Sequence, residues 1–186
     1  MPLIKNATEI DDPYLRVLDD TPVPEEGAVL LPAARFLADA HELACRSGQT
    51  GIIWPNDRDI GELAPWLDKL SLVALAFPTF RDGRAYTQAR LLRERYCFRG
   101  ELRATGDVLR DQFLFLHRSG FDAFDVKKPG DARAFIEAVH RYSIFYQPAA
   151  DGERGTLWRR ISPSSPRQKT VNEFTLTSPA ANEPSQ

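Results

Sequence analysis

The sequence predicts an α/β fold: a mainly parallel sheet of about four βα units, open sandwich or half-barrel-like, behind a short N-terminal β hairpin. Three observations predict it. From position 51 onward, short apolar runs alternate with helical segments, the rhythm of right-handed βαβ units. The run "LVALAFP" (72–78) is unbroken and apolar, as in a strand buried on both faces. Upstream, "LIKNATEI" and "YLRVL" alternate around the turn "DDP", which reads as two short paired strands. Periodicity does not separate an open sandwich from a half-barrel.

The elements follow in order. After the loop "TPVPEEG", "LPAARFLADAHELACRSG" reads as a helix with Pro32 in its first turn. Phe36, Leu37, Ala40, Leu43 and Ala44 form its stripe, and Gly48 its stop. "GIIWP" is a strand, and "DIGELAPWLDKL" a helix that Pro65 kinks or divides. "LVALAFP" is followed by the helix "GRAYTQARLLRERYC", with Tyr86, Ala89, Leu92 and Tyr96 on one side. "GELRATG" is a strand, and "VLRDQFLFLHRSG" a helix with Val108, Leu109, Phe113 and Leu116 near one face. "FDAFDV" is the last strand and "DARAFIEAVHRYSIFY" the last helix. Residues 1–161 are expected to form one domain. From Ser162 the chain is rich in Ser, Pro, Thr and Asn, which predicts a disordered tail over 162–186.

The chain has 186 residues, 42% apolar and 27% charged, enough for a core without disulfides or metals. Net charge is −2, which gives no reason to expect nucleic acid or a membrane. Residues 1–31 carry −5 and the remainder +3, so the N-terminal segment reads as an acidic solvated edge. Among the cations, 19 are Arg and 5 are Lys, and the planar Arg fork suits oxyanions and carboxylates. Cys45 and Cys97 form no CxxC pair and read as buried small hydrophobes. His41, His117 and His140 lack metal spacing. No apolar leader or 18-residue apolar run occurs, so a cytoplasmic location is expected.

In parallel α/β sheets, ligands bind beyond the carboxyl ends of the strands. That edge collects Asn56, Asp57 and Arg58 after one strand, and Arg81, Asp82, Gly83 and Arg84 after the next. It also collects Asp107 with Asp111 and Gln112 behind it, and Lys127 and Lys128. Local roles compete at each position. Asp82 and Asp107 stand where helix N-caps stand, and Arg90, Arg93 and Glu94 have the spacing of a solvated helix face. Tyr86 is at core spacing with Ala89. No GxGxxG, GxxxxGK[ST] or GxSxG motif is present.

The run from Phe77 to Phe124 resembles the DUF934 family of bacterial proteins of unknown function. The family's pattern is matched at Asp82, Gly83, Arg84, Tyr86, Ala89 to Arg93 and Arg95. It is matched again at Gly100 to Ala104, Gly106 to Val108, Asp111, Gln112 and Gly120 to Phe124. "PLIKN" resembles the family's start. Ala85 and Thr87 stand where the pattern has Gly and Ser, which weakens any need for close backbone approach at position 85.

The resemblance implies a place in sulfate-assimilation gene clusters and a role in sulfite reduction and cysteine biosynthesis. Members are described as oxidoreductases of that step on gene neighbourhood, and no family catalytic residues transfer. Asp82, Arg84, Tyr86, Arg90, Arg93, Asp107, Asp111 and Gln112 therefore form the candidate anion- or partner-binding set. The expected function is an accessory protein of assimilatory sulfite reduction. It would bind sulfite reductase, another sulfate-assimilation enzyme or a small oxyanion through an Arg-rich edge, with Arg84 and Arg93 as clamps. The alternative is an oxidoreductase with its own cofactor such as a flavin, which needs no short motif. A third reading is a half-barrel that dimerises to complete its sheet. The sequence names no cofactor and decides neither for nor against catalysis.

Overall fold

The computed structural model describes residues 3–5, 8–18, 21–126, 131–142 and 145–150. The expected tail over 162–186 and the pair Lys127 and Lys128 lie outside the described residues. Among the described residues, eight strands form one sheet. They are β1 (Leu3–Lys5), β2 (Thr8–Ile10), β3 (Leu15–Arg16), β4 (Val29–Pro32), β5 (Thr50–Trp54), β6 (Leu72–Phe77), β7 (Glu101–Gly106) and β8 (Ala123–Asp125). Their order is β2-β1-β8-β7-β6-β5-β4-β3.

The α/β class holds, but the sheet is mixed and has eight strands, not about four parallel βα units. Strands β3 to β8 are parallel neighbours, and β1 lies antiparallel to both β8 and β2. The N-terminal hairpin is β1 with β2, both inside "LIKNATEI", rather than a pairing across "DDP". "YLRVL" instead contributes β3 at the far edge. Strand β4 was hidden because its buried residues Val29, Leu30 and Leu31 run directly into helical "PAARF".

Chain reach decides how this sheet is bent. Seven inter-strand steps of about 4.8 Å would put β2 and β3 about 34 Å apart in a flat sheet. Only five Cα steps join Ile10 to Leu15, a reach of at most about 18 Å. The sheet must therefore curl until its edges approach. The side chains show the same closure: Arg16 on β3 meets Asp125 on β8 at 2.5 Å, although four strands lie between them. Sequential strand order also fixes the helices. Right-handed crossovers between neighbours taken in one direction stay on one face, which makes a half-barrel and not a doubly wound sandwich.

The two faces of the sheet differ in kind. Val73, Leu75 and Phe77 of β6, with Ile52, Trp54, Leu102, Ala104 and Phe124, join the helices in the main core. Burying each of the larger aliphatic and Phe side chains among them is worth about 1.5–3 kcal/mol. The concave face holds Leu30, Leu72, Ala74 and Tyr14, and then turns polar on β7 and β8.

The helices are shorter than the periodicity suggests. The segment 31–48 splits into α1 (Ala33–Ala38) and α2 (Ala40–Ala44), because Asp39 leaves helical geometry at φ −114°. Ile60–Lys69 is a 3-10 helix containing Pro65, entered through an Asp59 carboxylate that accepts from the Gly61 N–H. α3 (Arg84–Arg90) runs into a π-helical turn, Leu91–Arg95, where the Tyr96 N–H donates to the Leu91 carbonyl at 3.0 Å. A 3-10 turn, Arg110–Gln112, leads into α4 (Phe113–Arg118), and α5 spans Asp131–His140. Both cysteines are exposed, not buried. Cys45 ends α2, and Cys97 follows the π turn at φ +53°, so each sits where the chain leaves its helix.

Gly106 makes the turn at the top of β7. Its φ is +100°, and a Cβ there would lie 2.4 Å from the Phe77 carbonyl oxygen. Gly106→Ala combines a disfavoured φ with a backbone clash, so it should destabilise by about 1–3 kcal/mol, read as a lowered urea midpoint.

Candidate functional site

The carboxyl ends of β5, β6 and β7 carry three loops, and the structure ties them together. The Asp107 carboxylate accepts from the Phe80 N–H at 3.0 Å. The Gln112 amide donates to the Phe80 carbonyl at 2.9 Å and accepts from the Leu109 N–H at 3.1 Å. Asp107 therefore braces the neighbouring loop instead of capping the next helix, whose entry is Leu109 in extended geometry. Asp107 and Gln112 position the edge.

Asp82 and Arg84 pair with each other. The guanidinium donates to both carboxylate oxygens, at 3.0 and 2.6 Å, and the Arg84 N–H also points at Asp82. That bonding holds the Asp82 carboxyl well below the usual carboxylate range, with the Asn56 side chain adding to it. It also raises the Arg84 guanidinium, helped by the nearby Asp57 carboxylate. Asn56, Asp57, Asp82 and Arg84 thus share one corner, as the topology rule expects. Arg81 lies beside them, over the Phe80 ring at 5.4 Å.

A second, larger feature runs down the groove between α3 and α4. It is a cleft of about 820 Å³, closed on its third side by Tyr142, Phe145, Gln147, Pro148 and Ala149. It brings together Tyr86, Arg90, Asp111 and Gln112 of the predicted set. Tyr86 is half-buried, its ring edge-on to Phe77 at 5.4 Å. Burial first, and then the nearby Asp111 charge, push its hydroxyl up to about 12. The folded state thus holds that proton more tightly than the unfolded chain, whose Tyr titrates near 10. Stability from this group is complete below about pH 10 and falls as pH rises toward 12. Tyr86→Phe should flatten that fall in urea titrations repeated from pH 9 to 12.

Arg90 stands exposed at the cleft and, among the described residues, pairs with Glu94, one turn on, at 3.2 Å. Such an exposed pair is worth about 0.3–0.5 kcal/mol and yields readily to a ligand. Arg118 closes the lower end. Its guanidinium lies 3.7 Å over the Phe145 ring and donates to the Gln147 carbonyl at 2.7 Å. A π-helical turn begins one residue after Arg90; such turns are frequent at functional sites.

Arg93 goes elsewhere. It donates to the carbonyls of Phe98, Gly100 and Gly120, and to the Asp122 carboxylate. These groups precede β7 and β8, at the opposite end of the strands from the other predicted residues. There Arg93 locks two loops.

Sequence reasoning missed two things. Phe115, 65% exposed, and Tyr142, 56% exposed, line the cleft without packing in the core. Phe115 is the one Phe of α4 off its apolar stripe, which was the available signal. The other is the ionic cluster inside the curl. Arg103 is fully buried and bonds Asp12 at 2.7 Å and Glu101 at 2.8 Å, with Asp125 at 4.0 Å. Asp125 also accepts from the Thr105 hydroxyl at 2.7 Å. Burial opposes the Arg103 charge, yet Asp12 and Glu101 hold it above its ordinary value. Glu101, Arg103 and Thr105 alternate along β7, a polar period in a strand that parallel sheets usually make apolar.

Among the described residues, no three His, Cys, Asp or Glu side chains converge as a metal site. No described helix is long and apolar enough to cross a membrane. A family model, described as a bacterial protein of unknown function (DUF934), matches residues 51–157, more than half of the chain. The whole cleft falls inside that span, whereas Asp12, Tyr14 and Arg16 precede it. No curated protein matches the chain.

Proposed function

Because the chain belongs to the DUF934 family, we propose that it is an accessory protein of assimilatory sulfite reduction. It binds sulfite reductase, or a small oxyanion, through the arginine-bearing face between α3 and α4. One observation carries this reading: Arg90 and Arg118 both line one open cleft, and among the described residues Arg90 is held by a weak surface pair. Arg84 and Arg93 are less suited to the task, since Asp82 takes the first and three carbonyls plus Asp122 take the second. Guanidinium forks at such a face suit compact anions and acidic protein segments.

The oxidoreductase alternative keeps one point in its favour. A cleft of about 820 Å³ with aromatic walls has the size of a cofactor pocket. Size-exclusion chromatography with full visible absorbance separates the two. The protein is run alone and with its host's sulfite reductase. A colourless chain that moves into the reductase peak supports the accessory reading. Absorbance travelling with the chain alone supports the alternative. A colourless chain that never co-elutes defeats the model of a stable complex.

A further inference from the structure

The cleft is far larger than sulfite or sulfate, and its two ends differ chemically. α3 and α4 each follow a strand of the same parallel set, so they run in the same direction. At their starts stand Tyr86 and Asp111, a hydroxyl and a carboxylate that accept from N–H groups. Arg90 lies one turn below Tyr86, about 6 Å on, and Arg118 two turns below Asp111, about 10 Å on. Arg118 is already oriented by the Phe145 ring and the Gln147 carbonyl. Between the ends, Phe115 and Tyr142 offer exposed aromatic surface.

Resting on the reading of this face as the binding face, we infer that the cleft takes a nucleotide-like ligand. That ligand is a planar heteroaromatic ring bearing N–H donors, joined to a phosphate or similar oxyanion. The ring lies against Phe115 and Tyr142 with its N–H groups toward Asp111, and the oxyanion sits between Arg90 and Arg118. Each part is needed. A bare oxyanion leaves the aromatic walls wet, and a plain aromatic acid offers the Asp111 carboxylate no N–H to accept from.

Isothermal titration of the full chain tests this with five probes: adenosine 5′-monophosphate, flavin mononucleotide, adenosine, inorganic phosphate and sulfite. At least one of the two nucleotides should bind tenfold or more tightly than adenosine, phosphate or sulfite, and which one binds identifies the ring. The double variant Phe115→Ala/Tyr142→Ala should weaken that binding at least tenfold. Both side chains are exposed, so this variant should keep its circular dichroism. Arg118→Met should bring the nucleotide down to the affinity of its unphosphorylated nucleoside. Equal binding of phosphate or sulfite, or no binding of either nucleotide, overturns the inference. If co-elution with the reductase persists in either case, the failure is that of the ligand and not of the accessory role.

Discussion

Arg103→Ala is expected to cost about 3–5 kcal/mol, a large share of the roughly 5–15 kcal/mol that holds a domain folded. The side chain is fully buried in the concave face of the curled sheet, with Asp12, Glu101 and Asp125 around it. Removing the guanidinium leaves those carboxylates facing one another with less compensation, while Lys5 and Arg16 reach only Glu101 and Asp125 from the partly exposed rim. It also removes the cation that lies 5.5 Å over the Tyr14 ring, and with it the grip on the segment that crosses from one sheet edge to the other. Urea denaturation should show a midpoint lowered far beyond that of any exposed Arg variant. Adding Asp12→Asn, Glu101→Gln and Asp125→Asn to Arg103→Met should recover much of the loss, because neutral groups no longer need the cation. No recovery would mean that shape, and not charge, makes the cluster necessary.

The second large effect is on binding. Arg90→Glu with Arg118→Glu should weaken association with sulfite reductase, or with an anionic ligand, by a hundredfold or more. Charge reversal removes two favourable contacts and adds two repulsive ones, and each 1.4 kcal/mol is tenfold. The paired replacements Arg90→Lys and Arg118→Lys keep the charge but lose the planar fork, so they should retain part of the affinity. Arg84→Glu belongs to the Asp82 corner and should leave cleft binding within a few-fold of the parent. Surface plasmon resonance at two salt concentrations reads these differences, and the parent's affinity should fall with salt.

What was legible in the sequence follows from local physics. β6 could be read because "LVALAF" is buried on both faces and has no competing pattern. The candidate edge could be read because the parallel topology puts the loops after β5, β6 and β7 together. Asp82, Arg84, Tyr86, Asp107, Asp111 and Gln112 are indeed brought to that end of the strands or the cleft below it. Arg93 could not be placed, because two helical turns after Tyr86 carry it to the opposite end of the strands. Nor could the place of β3, since its distance from β1 and β2 in the sheet is set by the curl and not by its own two residues. The π-helical turn depends on the Leu91 carbonyl taking the Tyr96 N–H, a choice that apolar spacing does not encode. The ionic cluster joins residues 91 positions apart, Asp12 to Arg103, and only curvature brings them together.

The most direct test of the binding face is hydrogen exchange of the full chain with and without its host's sulfite reductase, read by mass spectrometry. The account predicts slowed exchange over residues 84–95, 110–118 and 142–149, with little change across β1, β2 and the concave cluster. Protection confined to the opposite end, around Gly100 and Gly120, or to the α2 side, would contradict it and move the partner off the cleft.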